Sequence, residues 1–147
     1  MPRVLGKPVA LALITLASLA AATVMTKADD EKPYKFENGK VDFNTYNGYR
    51  RYTESCLRCH GPDGSGSSYA PDLTLSLKSM SEDQFKEIVV NGRQNVNTAA
   101  ENVMPSFGTT EDVMLYLDDI YAYLKARSDG ALDRGRPDHM DKKPDQG

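Results

Sequence analysis

The sequence has little of what usually ties a small fold together. It holds two cysteines and two histidines in 147 residues. The cysteines lie three positions apart, so a disulfide between them would close a tiny loop and constrain the unfolded chain little. That excludes a disulfide scaffold, the common use of paired cysteines in an exported chain. Two cysteines and His60 leave only distant His139 to complete a four-ligand structural zinc site. After residue 22 no apolar run is long enough to cross a bilayer. No basic cluster with interleaved aromatics marks a nucleic-acid surface, and no internal repeat is present.

The one long apolar run comes first. Arg3 and Lys7 precede Val9 to Ala22, and Ala20-Ala21-Ala22 offers small residues for cleavage, with Thr26-Lys27-Ala28 as a second candidate. This is the pattern of a secretory signal peptide over residues 1–22, cleaved there or as late as 28. The alternative, an uncleaved anchor, has a run shorter than the roughly 20 residues a spanning helix needs. Removing residues 1–22 takes two of the 18 Lys+Arg and none of the 21 Asp+Glu, which leaves a net charge of about −5. Such a chain is unsuited to nucleic acid and suited to a partner with a basic patch.

Residues 29–43 read as an N-terminal arm ending in a hairpin. Tyr34-Lys35-Phe36-Glu37 and Lys40-Val41-Asp42-Phe43 flank Asn38-Gly39, a two-residue turn signal. Asn44 to Ser55 predicts a helix with Tyr49, Tyr52 and Thr53 on one face. Gly48 costs it about 1 kcal/mol relative to alanine, which points to close approach by another helix. Gly61 to Pro71 is loop. Leu73, Leu75 and Leu77 alternate without choosing a state. Ser81 and Gln84 form a capping box, with Met80 and Phe85 as the staple around it, and Asn91-Gly92 ends that helix. Residues 92–108 read as a long loop with a job. Thr109 is expected to cap a last helix, on which Val113, Leu117, Ile120 and Leu124 make one buried face. Residues 128–147 carry nine charges in twenty positions and read as an extended or disordered tail.

The chemistry is concentrated in Cys56-Leu57-Arg58-Cys59-His60. C-x-x-C-H is the attachment signature of c-type haem. Two thiols at this spacing reach the two vinyl groups on one porphyrin edge, and the adjacent histidine is held under the iron. In bacteria these thioethers form outside the cytoplasm, in accord with the leader. A thioredoxin-like redox pair would need a βαβ setting, and no alternating strands surround this one. For the sixth iron position the chain offers Met25, Met80, Met104, Met114 and Met140. Met80 serves the staple, Met114 lies on a helix as a packing residue, and Met140 is in the tail. Met104 lies in the long loop before Pro105, and is the candidate ligand; the alternative is a methionine filling a core gap. Pro71, eleven residues after His60, is the candidate whose carbonyl anchors the other ring nitrogen. Arg93, with Asn95, Asn97 and Tyr69, is a candidate donor to the haem propionates, against the alternative of solvated loop residues. His139 reads as a plain surface residue.

With these residues in place the chain resembles a class I cytochrome c from about Asn44 to Arg127. Gly48 and Tyr52 stand as in that family's N-terminal helix, Ala122-Tyr123-Leu124-Lys125 resembles its C-terminal helix, and Pro71 and Met104 its histidine-orienting proline and axial methionine. A narrower resemblance rests on Asn47-Gly48-Tyr49-Arg50-Arg51-Tyr52, Asn91-Gly92-Arg93, Asn95-Val96-Asn97-Thr98-Ala99 and Gly135-Arg136-Pro137. These are similar to periplasmic cytochromes that accept electrons from PQQ-dependent alcohol or methanol dehydrogenases. The resemblance implies an all-α domain over residues 44–127 around one covalent haem c. It implies a periplasmic electron carrier, not an enzyme, with a quinoprotein dehydrogenase as donor and another cytochrome or an oxidase as acceptor. The rival expectation is a haem enzyme or gas sensor, which needs an open iron site and therefore a Met104 that does not bind.

Overall fold

The computed structural model describes residues 31–96 and 101–140. The expected leader, Asn97 and residues 141–147 lie outside the described residues. Among the described residues no helix is long and apolar enough to cross a membrane.

The N-terminal turn forms as its residues dictate. Strands β1 (Phe36–Glu37) and β2 (Lys40–Val41) pair antiparallel. Asn38 and Gly39 take positive φ values of 52° and 79°, which a type I′ turn requires and which asparagine and glycine tolerate. Asp42 then starts helix α1 (Phe43–Ser55): its Oδ1 accepts from Thr45 N–H at 3.0 Å and its Oδ2 from the Thr45 hydroxyl at 2.7 Å. A side-chain cap of this kind is worth about 1 kcal/mol. A single helical turn, α2 (Leu57–His60), follows, then a 3-10 turn at Pro62–Gly64. The undecided leucines form a short helix, α3 (Leu73–Ser76), because Asp72 accepts from the amides of Thr74 and Leu75. Helix α4 (Glu82–Asn91) opens on the full Ser81–Gln84 capping box and closes at Gly92, at φ 76°. Phe85 is buried and Met80 packs half-buried on the core, as a staple should.

Several expectations need correction. Residues 92–108 contain a two-stranded ladder rather than loop alone: β3 (Arg93–Val96) pairs antiparallel with β4 (Glu101–Met104). Thr110, not Thr109, stands at the start of α5 (Glu111–Leu115), without a side-chain cap bond. The last helix is broken at Tyr116 (φ −119°, ψ 24°), and α6 (Leu117–Ser128) begins after it. The buried face survives the break: Val113, Leu117, Ile120 and Leu124 are all in the core. Thr53 and Met114 are exposed rather than packed.

The domain is organised by α1 against α6. At Gly48 an added Cβ would sit 1.8 Å from the Asp119 carbonyl oxygen, so only glycine allows the two backbones to come this close. Beside the crossing, Asn47 Nδ2 donates to Asp119 Oδ2 at 2.7 Å. Tyr52 and Tyr123 fill the space below, 1% and 0% exposed, with ring centroids 5.6 Å apart.

Residues 129–140 do not stand off the domain, and the all-α expectation is incomplete here too. Leu132 is buried, and β5 (Asp138–His139) adds to the N-terminal hairpin, parallel to β2. His139 is not a plain surface residue: its ring lies 4.1 Å from that of Tyr46 and edge-on to Phe43. Arg136 hydrogen-bonds the Tyr46 hydroxyl.

Candidate haem-attachment site

Cys56 ends α1, its N–H bonded to Tyr52 O at 2.8 Å, and the chain turns at once into α2. The N–H groups of Cys59 and His60 both return to Cys56 O, at 3.2 and 3.0 Å. One turn thus presents both thiols and the imidazole. The cysteines are free, Cys56 half-buried and Cys59 exposed. Burial, then the neighbouring Cys59, pushes the Cys56 thiol up to about 11, so it rests protonated.

His60 is 7% exposed. Its Nδ1 lies 3.0 Å from Pro71 O. A carbonyl only accepts, so Nδ1 carries the proton and Nε2 keeps its lone pair. The peptide around it is also fastened. Gly66 N–H donates to His60 O at 2.8 Å, and Ser67 Oγ donates to Cys59 O. The Tyr52 hydroxyl donates to Gly61 O at 2.5 Å and accepts from Gly64 N–H at 2.9 Å. Burial raises the Tyr52 phenol far above its ordinary value, which keeps it a donor. Gly61 sits at φ +72°, and a Cβ there would meet Gly66 O at 2.3 Å; the loop closes only because that position is glycine.

Met104 and Arg93 belong to a separate element. They are register partners in the β3–β4 ladder. Met104 is half-buried against the core, and Arg93 is exposed. The segment after Met104 is sewn to the end of α4: Phe107 N–H to Val89 O at 2.9 Å, Gly108 N–H to Val90 O at 3.1 Å, and Ser106 Oγ to Val90 O at 2.5 Å. Arg93 lines an open cleft of about 650 Å³ with Met80, Gln84, Ile88 and Asn91; Cys56, Cys59 and His60 are not part of its lining. Tyr69 is 73% exposed. Asn97 lies outside the described residues, as does the side chain of Asn95.

The residues fit a covalently held haem. Two reduced thiols share a turn with an imidazole whose second nitrogen is committed to a carbonyl. Among the described residues no group of three or more His, Cys, Asp and Glu gathers to hold a bare metal ion. A family model described as cytochrome c oxidase, cbb3-type, subunit III, matches residues 44–124, the span that carries both crossing helices and the C-x-x-C-H turn. The chain belongs to the cytochrome c family, as a class I c-type cytochrome.

The cytochrome is 53% identical over 120 residues to cytochrome c-553I of Paracoccus denitrificans, covering 81% of this chain. It spans only 53% of that relative's length. It is 45% identical over 96 residues to cytochrome c-555 of Methylococcus capsulatus, covering 65% of this chain and 72% of the relative. Among solved structures, the c-type cytochrome XoxG from Methylobacterium extorquens AM1 superposes with a TM-score of 0.67 at 42% identity, over 80% of this chain and 79% of that one. The cytochrome carries covalently bound haem c, and Cys56 and Cys59 are the pair that fits its attachment.

Asp63 and Arg134 escaped the sequence reading. Gly61-Pro62-Asp63-Gly64 is a turn signature that places an aspartate right behind the haem motif. That was the available signal.

Proposed function

We propose that this cytochrome is a periplasmic single-haem electron carrier, with His60 and Met104 as the axial ligands of its iron. It accepts electrons from a PQQ-dependent alcohol or methanol dehydrogenase and passes them to another cytochrome or an oxidase. The observation that carries the reading is the His60 Nδ1–Pro71 O bond at 3.0 Å, set directly behind two free thiols. The bound haem supplies a one-electron Fe(III)/Fe(II) couple.

The chain's own part is to hold and orient. Cys56 and Cys59 tether the group. Pro71 O fixes the tautomer and plane of the His60 ring, and hydrogen bonding at Nδ1 strengthens Nε2 as a donor. A Met104 thioether bound to the iron would raise the potential relative to a second histidine. If His60 and Met104 both held the iron, no position would be left for a substrate, in keeping with a carrier rather than an enzyme. Arg93 is the candidate partner of the propionates. The dehydrogenase as donor rests on the resemblance of the Asn47–Tyr52 and Gly135-Arg136-Pro137 segments to the dehydrogenase-linked group.

Met104→Ala tests the ligation. Haem should remain attached, the methionine–Fe(III) charge-transfer band should vanish, and the reduced protein should bind CO at once. An unchanged spectrum rejects Met104, and immediate CO binding by the unaltered protein favours a sensor or enzyme. Mixing oxidised protein with a PQQ dehydrogenase and its alcohol tests the donor: reduction of the haem is expected, and persistent oxidation rejects that partner.

A further inference from the structure

Residues 129–140 fold back over the domain, and several of their contacts meet on one residue. Asp63 follows the C-x-x-C-H turn by three positions. It has φ 60° and is 9% exposed. Such a left-handed residue carries about 1 kcal/mol or more of strain and persists where its surroundings over-determine it. Here they do. Gly135 N–H donates to Asp63 Oδ1 at 3.0 Å, and the Tyr123 hydroxyl approaches the same atom at 3.5 Å. Arg134 Nε lies 3.5 Å from Asp63 Oδ2, and Arg127 Nε donates to Asp63 O at 3.4 Å. Arg134 also reaches Ser65 Oγ at 3.3 Å. The peptide units that follow Asp63 lead straight back to the imidazole: Gly64 N–H is bonded to Tyr52, and Gly66 N–H to His60 O.

We propose that Asp63 is a positioning residue for His60, and that the C-terminal segment, through Arg134 and Gly135, is a working part of the haem site. Pro71 fixes the ring of His60; the Asp63 clamp fixes its backbone, by holding residues 64–66 in the one path that lets Gly66 bond His60 O. The carboxylate suits this task. A buried carboxylate needs partners, and the C-terminal segment supplies two of them, Gly135 N–H and the mostly exposed Arg134. The inference rests on His60 being an axial ligand, which the spectrum of the unaltered protein tests by itself.

The test uses haem-loaded protein and three variants: Asp63→Ala, Asp63→Asn and Arg134→Gln. The readouts are amide hydrogen exchange at Gly64 and Gly66, the shifted ring-proton resonances of the axial histidine in the oxidised protein, and the midpoint potential. Asp63→Ala should speed exchange at both amides at least about 10-fold, since it leaves Gly135 N–H without its acceptor and frees the loop. It should also move the histidine resonances and the potential. Asp63→Asn, whose Oδ1 still accepts from Gly135 and Tyr123, should restore most of both. Arg134 is 70% exposed, so Arg134→Gln should fold and speed exchange by a smaller factor, about threefold, with histidine shifts in the same direction. A lower melting temperature in Asp63→Ala with unmoved histidine resonances would overturn the proposal. So would Asp63→Asn shifting the potential as far as alanine does, which makes the effect one of charge alone. Should Asp63→Ala not mature, Arg134→Gln decides: unchanged exchange and unchanged resonances reject the clamp.

Discussion

The segment around His60 and the segment around Met104 are fastened with different materials. Around His60 the fastening is done by side chains from several elements: Tyr52 of α1, Ser67 and Asp63 of the loop, Tyr123 of α6. Around Met104 it is mostly backbone, a short ladder to Arg93 and three bonds to the end of α4. A side-chain network pins individual peptide groups, and losing one member leaves a buried partner unsatisfied. A backbone ladder fixes the path of the chain but leaves a side chain at its end free to turn. If Met104 binds the iron as proposed, ligand exchange is expected at Met104 rather than at His60.

The harshest test attacks what both sides share. Gly48→Ala puts a Cβ into the Asp119 carbonyl and should cost at least about 3 kcal/mol, since the obstacle is backbone and cannot rotate away. Urea denaturation of the loaded protein measures it; a loss under 1 kcal/mol would mean the helices can part without harm. Next is Tyr52→Phe, which strips Gly61 O and Gly64 N–H of their partner and should cost about 2 kcal/mol. It should also broaden the His60 signals while leaving the methionine band intact. Ser106→Ala removes the bond to Val90 O at about 1 kcal/mol. It should speed cyanide binding without touching amide exchange at Gly66. Faster exchange at Gly66 in that variant would show the two sides to be one unit and end the contrast.

The smallest effect concerns acid. Burial raises the Asp72 carboxyl, but bonds from the Thr74 hydroxyl and the amides of Leu75 and Thr74 outweigh it and hold the group below its ordinary 3.8. A depressed carboxyl contributes its stability above the ordinary value and loses it as pH falls through the lower, folded one. The contribution of Asp72 should thus be flat from neutrality to about pH 4 and drop below that. Asp72→Asn, still able to cap α3 but without the charge, should be slightly less stable than the parent at pH 7, approach it in acid and show a shallower acid limb.

Legibility in the sequence followed the same divide. Local chemistry with a fixed spacing was readable: Asn38-Gly39, the Ser81–Gln84 box, the C-x-x-C-H turn, and Gly48 as a contact glycine. Each is a rule about residues near one another in the chain. What stayed hidden depends on partners far away. The β3–β4 ladder has no period-2 signal, because Gln94, Asn95 and Asn102 put polar residues where alternation would be sought. The last helix breaks at Tyr116, where neither proline nor glycine announces a break. The segment after Ser128 has the composition of a loose tail. Its described part, to residue 140, is held instead by arginines on a phenol and a carboxylate, and by strand pairing, none of which needs an apolar run. Of the candidate site, the thiols, the imidazole and Pro71 were readable from spacing; Asp63 was not, because its bonds come from residues 60 to 72 positions on.

The parallel pairing of Val41 with His139 bears on the order in which the molecule is assembled. It shuts a circuit of about a hundred residues, and contacts across such separations form late because the entropy of closing the loop falls due before the contact rewards it. Until residues 138–139 pair there, the outer edge of β2 is bare. A chain unclasped in this way leaves its cysteines open to an incoming porphyrin, and closure after attachment would seal the handiwork in.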